Sequence, residues 1–175
     1  MSWRKRIVLA LASGASLWPL AYFLDWLDAV IPVSEKVVSY VLVGGIFGAL
    51  VLVPFVAGSS LRLGRTMGLV IGSILIYSLV AELAVEKYGP LQLDYDTAVV
   101  MSGLLGACLA GLLTILAAPL RISSLFWLYV PFAGLVGGFL FSLLWETNNN
   151  AVIAAAYAAW QVPVCLALHG GSARS

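Results

Sequence analysis

Residues 97–120 read TAVVMSGLLGACLAGLLTILAAPL, an unbroken run without a charge. A helix rises 1.5 Å per residue, so about 20 apolar residues cross roughly 30 Å of hydrocarbon. This run meets that length. Asp94 and Asp96 precede it and Arg121 follows it, so its two ends differ in sign. Ser102, Gly106, Ala110, Thr114 and Ala118 recur at four-residue spacing on one stripe, with Gly103, Ala107 and Gly111 beside it. Small residues in that pattern let helix backbones approach closely in lipid, where van der Waals packing must hold the helices together. The two-sided stripe suits a central helix of a membrane bundle.

Five further runs resemble this one. Ile7–Leu24, Val37–Leu61, Thr66–Ala81, Ile122–Trp145 and Thr147–Leu168 are uncharged, and the third reaches spanning length by continuing past Glu82 to about Val85. Backbone groups in hydrocarbon must bond within their own element, and continuous apolar runs of this length do not fit barrel strands, which alternate. The expected fold class is therefore all-α: a single compact domain, 1–175, of six transmembrane helices near 7–25, 37–58, 66–86, 97–119, 124–146 and 150–168. At 62% hydrophobic and 10% charged, the 175-residue chain is far from soluble composition.

The polar breaks alternate in sign. Arg4, Lys5 and Arg6 open the chain, and Asp25, Asp28 and Glu35 follow the first run. Arg62 and Arg65 come next, then Glu82, Glu86, Asp94 and Asp96, then Arg121, Glu146 and Arg174. Lys36 and Lys87 depart from the pattern, each beside a glutamate. Lys and Arg are retained on the cytoplasmic side, which predicts a multi-pass protein of a bacterial or archaeal plasma membrane with both termini inside. Arg4–Arg6 followed by apolar residues resembles a signal peptide. The run continues through Leu24, however, and retention as a first span is expected.

Chemistry is sparse. A net charge of +1 gives no reason to expect nucleic acid. Cys108 and Cys165 lie at different depths, His169 is the single histidine, and no spacing suits a metal. No nucleophile elbow or phosphate-binding glycine loop occurs, so neither a cofactor nor an enzyme is expected. Glu82 is the charge whose burial matters most. With Gly68, Gly72, Leu75, Leu79 and Glu86 it forms a heptad-like stripe, which predicts that it faces the bundle. Glu146 ends a comparable stripe of Gly134, Gly138 and Ser142. Glu82, Glu146, Tyr77, Trp145, Asn148 and Tyr22 are the residues expected to line an outward-facing polar pocket, since intramembrane carboxylates often mark solute or proton paths.

Two functional readings stay open. One is a small-solute transporter or membrane-embedded substrate-binding subunit. In span count, size and inward termini the chain is similar to the six-helix binding subunits of vitamin-uptake ABC transporters, a resemblance of architecture alone. The other is a non-catalytic scaffold whose Gly and Ala stripes dock a partner membrane subunit or a second copy.

Overall fold

A computed structural model describes residues 2–30, 35–56, 62–85, 94–118, 120–145 and 149–174. Its helices are α1 (Trp3–Ala15), α2 (Leu17–Val30), α3 (Glu35–Phe47), α4 (Arg62–Val85), α5 (Tyr95–Ala117), α6 (Phe126–Trp145) and α7 (Asn150–Gly171). A π-helical turn at Gly48–Leu52 and a 3-10 turn at Val53–Phe55 prolong α3. The fold is all-helical apart from one short antiparallel pairing. In it β1 (Leu120–Ile122) lies against β2 (Ser172–Arg174), tying the α5–α6 connection to the end of α7.

Among the described residues, five helices are long and apolar enough to cross a membrane: Val37–Phe55, Leu63–Ala84, Tyr95–Ala117, Phe126–Leu144 and Asn150–Gly170. The first run expected to span is not among them. It is divided at Ser16 into pieces of 13 and 14 residues, each short of the roughly 20 that a crossing needs. Pro19 explains the division, because it has no N–H to offer the Ala15 carbonyl. Hydrogen bonding resumes from the Leu20 N–H to the Ser16 carbonyl at 3.3 Å, and the Ser16 hydroxyl turns back to the Ser13 carbonyl at 2.7 Å.

Consecutive helices pack side by side from α3 to α7, and α7 returns against α1. The α1–α7 pair is antiparallel: Gly14 lies on Ala158, and the Cys165 thiol donates to the Arg6 carbonyl at 3.7 Å. Arg6, expected in a polar segment, is buried at 4% exposure with its guanidinium 3.7 Å from the Phe55 ring centre. A cation over an aromatic face is stabilised by the ring quadrupole.

The glycine stripes are used inside the bundle. A methyl group at Gly103 would lie 2.7 Å from the Gly138 Cα, and one at Gly134 would lie 2.6 Å from the Ala107 Cβ. Only hydrogen fits at this crossing, which brings α5 and α6 into backbone contact. As expected for a central element, α5 is the most buried of the five long helices, at 44% against 11% for α4. The stripe read along α4 needs correction. Leu75 and Leu79 are exposed, and Gly68 meets nothing within 4 Å. The face that packs instead carries Leu69, Ser73, Tyr77 and Ala81. Gly72 is the stripe residue that does pack, since a methyl group there would lie 2.7 Å from the Leu113 side chain.

Burial divides the bundle along its length. Leu52, Phe55, Leu69, Phe126, Val130, Val164 and Leu168 form a continuous core at the end that holds Arg6. Toward Glu82 a smaller cluster of Leu17, Val43 and Ala154 is buried, with Leu20, Tyr77 and Tyr157 partly buried around it, and Ala81 and Val99 are buried as well.

Candidate functional site

The thinly packed end contains the cavity. Its floor and walls come from the last turns of α4 and α6, the first turns of α5 and the middle of α7. It is an open-sided pocket of about 90 Å³, lined by Tyr77, Tyr95, Phe141, Tyr157 and Trp160, with Ala81, Ala84, Val99 and Ser102 between them. A second chamber of about 30 Å³ lies against it and shares Tyr77, Val80, Tyr157 and Trp160; its own lining includes Phe47, Ser73 and Gln161.

Trp160 is positioned by glycine. A methyl group at Gly137 would meet its indole at 2.8 Å and one at Gly106 would meet it at 3.2 Å, so both positions form a slot for the ring. The indole N–H donates to the Gly103 carbonyl at 3.3 Å, and the ring packs on Phe47 with centroids 5.3 Å apart. A tryptophan in mid-span needs such an acceptor, since lipid supplies none. Ser73 makes the neighbouring polar link, donating to the Gly44 carbonyl of α3 at 2.6 Å.

The tyrosines join three helices. Tyr77 of α4 and Tyr157 of α7 share a hydrogen bond between their hydroxyls. Tyr40 of α3 stands edge-on to Tyr77, with centroids 5.9 Å apart, and its hydroxyl donates to Glu82 Oε1 at 3.0 Å. Phe141 of α6 meets Tyr157 edge-to-face at 5.0 Å. Edge-to-face rings and paired hydroxyls fix these side chains while leaving space between helices that glycine would have closed.

The expected site residues fare unequally. Tyr77 is in the cavity wall. Glu82 is half-buried on the same helix, turned toward Tyr40 and not among the lining residues. Tyr22 does not belong to the site: it is 60% exposed, in line with Trp18 and Trp26 on the outer face of α2. Buried Leu17 precedes it by five residues, which places Tyr22 roughly 140° around the helix from the packed face. Glu146 and Asn148 lie outside the described residues, as does the side chain of Trp145. Among the described residues the polar groups of the wall are hydroxyls and one indole. Tyr157, Trp160 and Gln161 were missed. The signal available was a tyrosine, a tryptophan and a glutamine at the centre of an Ala-rich span, away from the interfaces where such residues usually sit.

Two helix starts frame the cavity. The Asp94 carboxylate accepts from the Thr97 N–H at 3.1 Å and caps α5. Asn149 caps α7 by accepting from the Ala151 N–H at 2.9 Å. Thr97 holds the Asp94 carboxyl below its ordinary range through its hydroxyl first and its backbone N–H second. Among the described residues, no group of three or more His, Cys, Asp or Glu side chains comes together as a metal site. Comparison with protein-family models, with curated proteins and with solved structures returns no match.

Proposed function

We propose that this chain is a six-span protein of a bacterial or archaeal plasma membrane that binds a small, largely apolar solute, as a carrier or as its membrane-embedded binding subunit. The observation that carries this reading is the aromatic cavity of about 90 Å³ at the Glu82 end. Apolar enclosures with a few convergent polar groups are where small ligands bind. Lipid-embedded helices can close such a space with glycine, as α5 and α6 do, and here rings hold it open. The topology is supported by charge. Arg6, Arg62, Arg65, Arg121 and Arg174 belong to the closely packed end, whereas Glu82, Asp94 and Asp96 belong to the cavity end. With the basic end cytoplasmic, the cavity is on the outer side. The broken first run follows α7 from Cys165 toward Ala154 and serves as the sixth span.

The test is ligand-induced thermal stabilisation of the purified protein against a panel of small aromatic and branched aliphatic solutes. A saturable shift is expected, lost in Ala84→Phe, which fills the cavity, and in Trp160→Ala. In cells, Glu82→Gln is expected to impair uptake of the stabilising solute with expression intact. A panel without one saturable binder, or a shift unchanged in Ala84→Phe, refutes the reading.

A second reading is favoured by α4 alone. Leu63, Met67, Ile71, Leu75 and Leu79 form an exposed stripe, and among the described residues a methyl group at Gly64 or Gly68 would meet no neighbouring element within 4 Å. This helix would dock a partner membrane subunit or a second copy, making the chain a scaffold. Gly64→Leu would then abolish copurification and leave solute binding untouched.

A further inference from the structure

The aromatic cavity does not end at the tyrosine pair. Tyr77, Val80, Tyr157 and Trp160 line both it and the smaller chamber, and the Tyr77 and Tyr157 hydroxyls are bonded to each other. The smaller chamber, about 30 Å³, has room for a single water-sized group. Val43, Phe47, Ile76 and Val80 make most of its lining apolar, and Ser73 is already committed to the Gly44 and Val70 carbonyls at 2.6 and 2.8 Å.

Gln161 is different. Its side chain is 1% exposed, and Oε1 is fully buried with no hydrogen-bond partner among the described residues. A buried amide oxygen is costly to leave unpaired, and more so where lipid rather than water surrounds the protein. The group complementary to it is an N–H or O–H donor. Among the described residues no charged side chain lines either compartment, and a charged head set among them would be buried without a counter-ion, an arrangement proteins avoid.

Resting on the solute-binding reading above, we infer that the solute is a neutral molecule with an apolar body and one hydrogen-bond donor, a hydroxyl or an amide N–H. The body occupies the aromatic cavity. The donor passes between Tyr77 and Tyr157 as their mutual bond opens and is received by Gln161 Oε1. The tyrosine hydroxyls, which donate and accept, pair with the passing head in turn.

The experiment compares benzyl alcohol, ethylbenzene and benzylammonium as probes of the purified full-length protein, each corrected for partition into empty micelles. Ethylbenzene has the shape of benzyl alcohol with a methyl group in place of the hydroxyl. Benzyl alcohol is expected to bind about tenfold more tightly than ethylbenzene, the scale of one buried hydrogen bond. In Gln161→Met, which keeps the length and removes the acceptor, that preference disappears while ethylbenzene still binds. Equal binding of the two by the unmodified protein overturns the inference and leaves solute binding standing; this is also the result if the chamber merely holds a fixed water. A preference that survives Gln161→Met overturns the role of Gln161, and preferred binding of benzylammonium overturns the neutral class. Failure of all three probes to bind saturably overturns the solute-binding reading itself. The comparison within the unmodified protein is decisive even if Gln161→Met does not fold.

Discussion

The two ends of this bundle are built from the same helices and packed by opposite means. At the Arg6 end, Phe126, Val130, Leu168 and Leu52 interdigitate into a core with side chains almost wholly out of contact with the surroundings. At the Glu82 end, tyrosines from α3, α4 and α7 meet by ring edges and hydroxyls, and a cavity remains among them. In water the second arrangement would be penalised by the hydrophobic effect. In lipid that penalty is largely absent, because helices are held by packing and hydrogen bonds rather than by release of water. A membrane bundle can therefore keep one end loose at small cost, provided the other end and the α5–α6 crossing hold. The contrast predicts how unequally the molecule responds to change.

The largest effect belongs to the crossing that both ends depend on. A methyl group at Gly138 would already lie 3.0 Å from the Val100 Cα, and Gly138→Leu adds a branched side chain where only hydrogen fits. Relief requires separating α5 from α6. Loss of monodisperse protein on size-exclusion chromatography is expected, and a normal elution profile would show that the crossing yields more easily than its geometry implies.

Phe126→Ala ranks next. Phe126 is 1% exposed in the packed core. Unfolded helices stay in lipid, so the transfer part of the usual cost falls away and the cavity part remains, about 2 kcal/mol. At the other end Tyr157→Phe removes a hydroxyl and leaves the ring in place. Hydrogen bonds between membrane helices average about 0.6 kcal/mol, so its effect on denaturation in mixed micelles should be several times smaller than that of Phe126→Ala. Equal effects would erase the distinction between a packed and a loose end.

How much of this was legible follows the same division. Helix class, the long spans and the α5–α6 seam could be read because length and small-residue spacing are local properties of a chain. Gly103 and Gly134 announce close approach without saying which helix approaches. The break at Ser16 is not visible in hydropathy, because the run through Leu24 is continuously apolar, whereas Pro19 leaves the Ala15 carbonyl without its helical donor and divides it. The site was harder. Glu82 stands out in the sequence as a carboxylate, yet the described part of the cavity wall is built of neutral residues whose importance is where they converge: Tyr77 from one helix, Tyr157 and Trp160 from another, Phe141 from a third. Convergence across helices is a tertiary fact, and no spacing within a single span encodes it. Tyr22 shows the converse. It shares residue type and depth with the site and faces outward, because α2 turns its other side to the bundle.

Gly68→Ala tests the remaining face of α4. No atom lies within 4 Å of the added methyl, so it meets no steric resistance, and alanine is the better helix former by up to about 1 kcal/mol. Unchanged or slightly raised stability is expected for the isolated protein. A loss would mean that this glycine is covered by a partner that survives purification, which would favour the scaffold reading.

The smallest effect is expected at the mouth of the site, where Asp94 caps α5. Thr97 lowers the Asp94 carboxyl pKa in the folded protein, so the carboxylate's contribution is fully present above the unfolded value near pH 3.9 and is lost as pH falls through the lower folded value. Asp94→Ala should therefore lower the melting temperature slightly and by a constant amount above about pH 5. The gap between mutant and unmodified protein should close on further acidification. Because Asp94 is exposed, added salt should shrink the gap as well. The first turn of α5 carries Tyr95 and Val99 into the cavity wall, so amide exchange at Thr97 and Ala98 is the sharper measurement. Faster exchange there in acid, with the Phe126 end unchanged, would show that the loose end of the bundle can open without the packed end following.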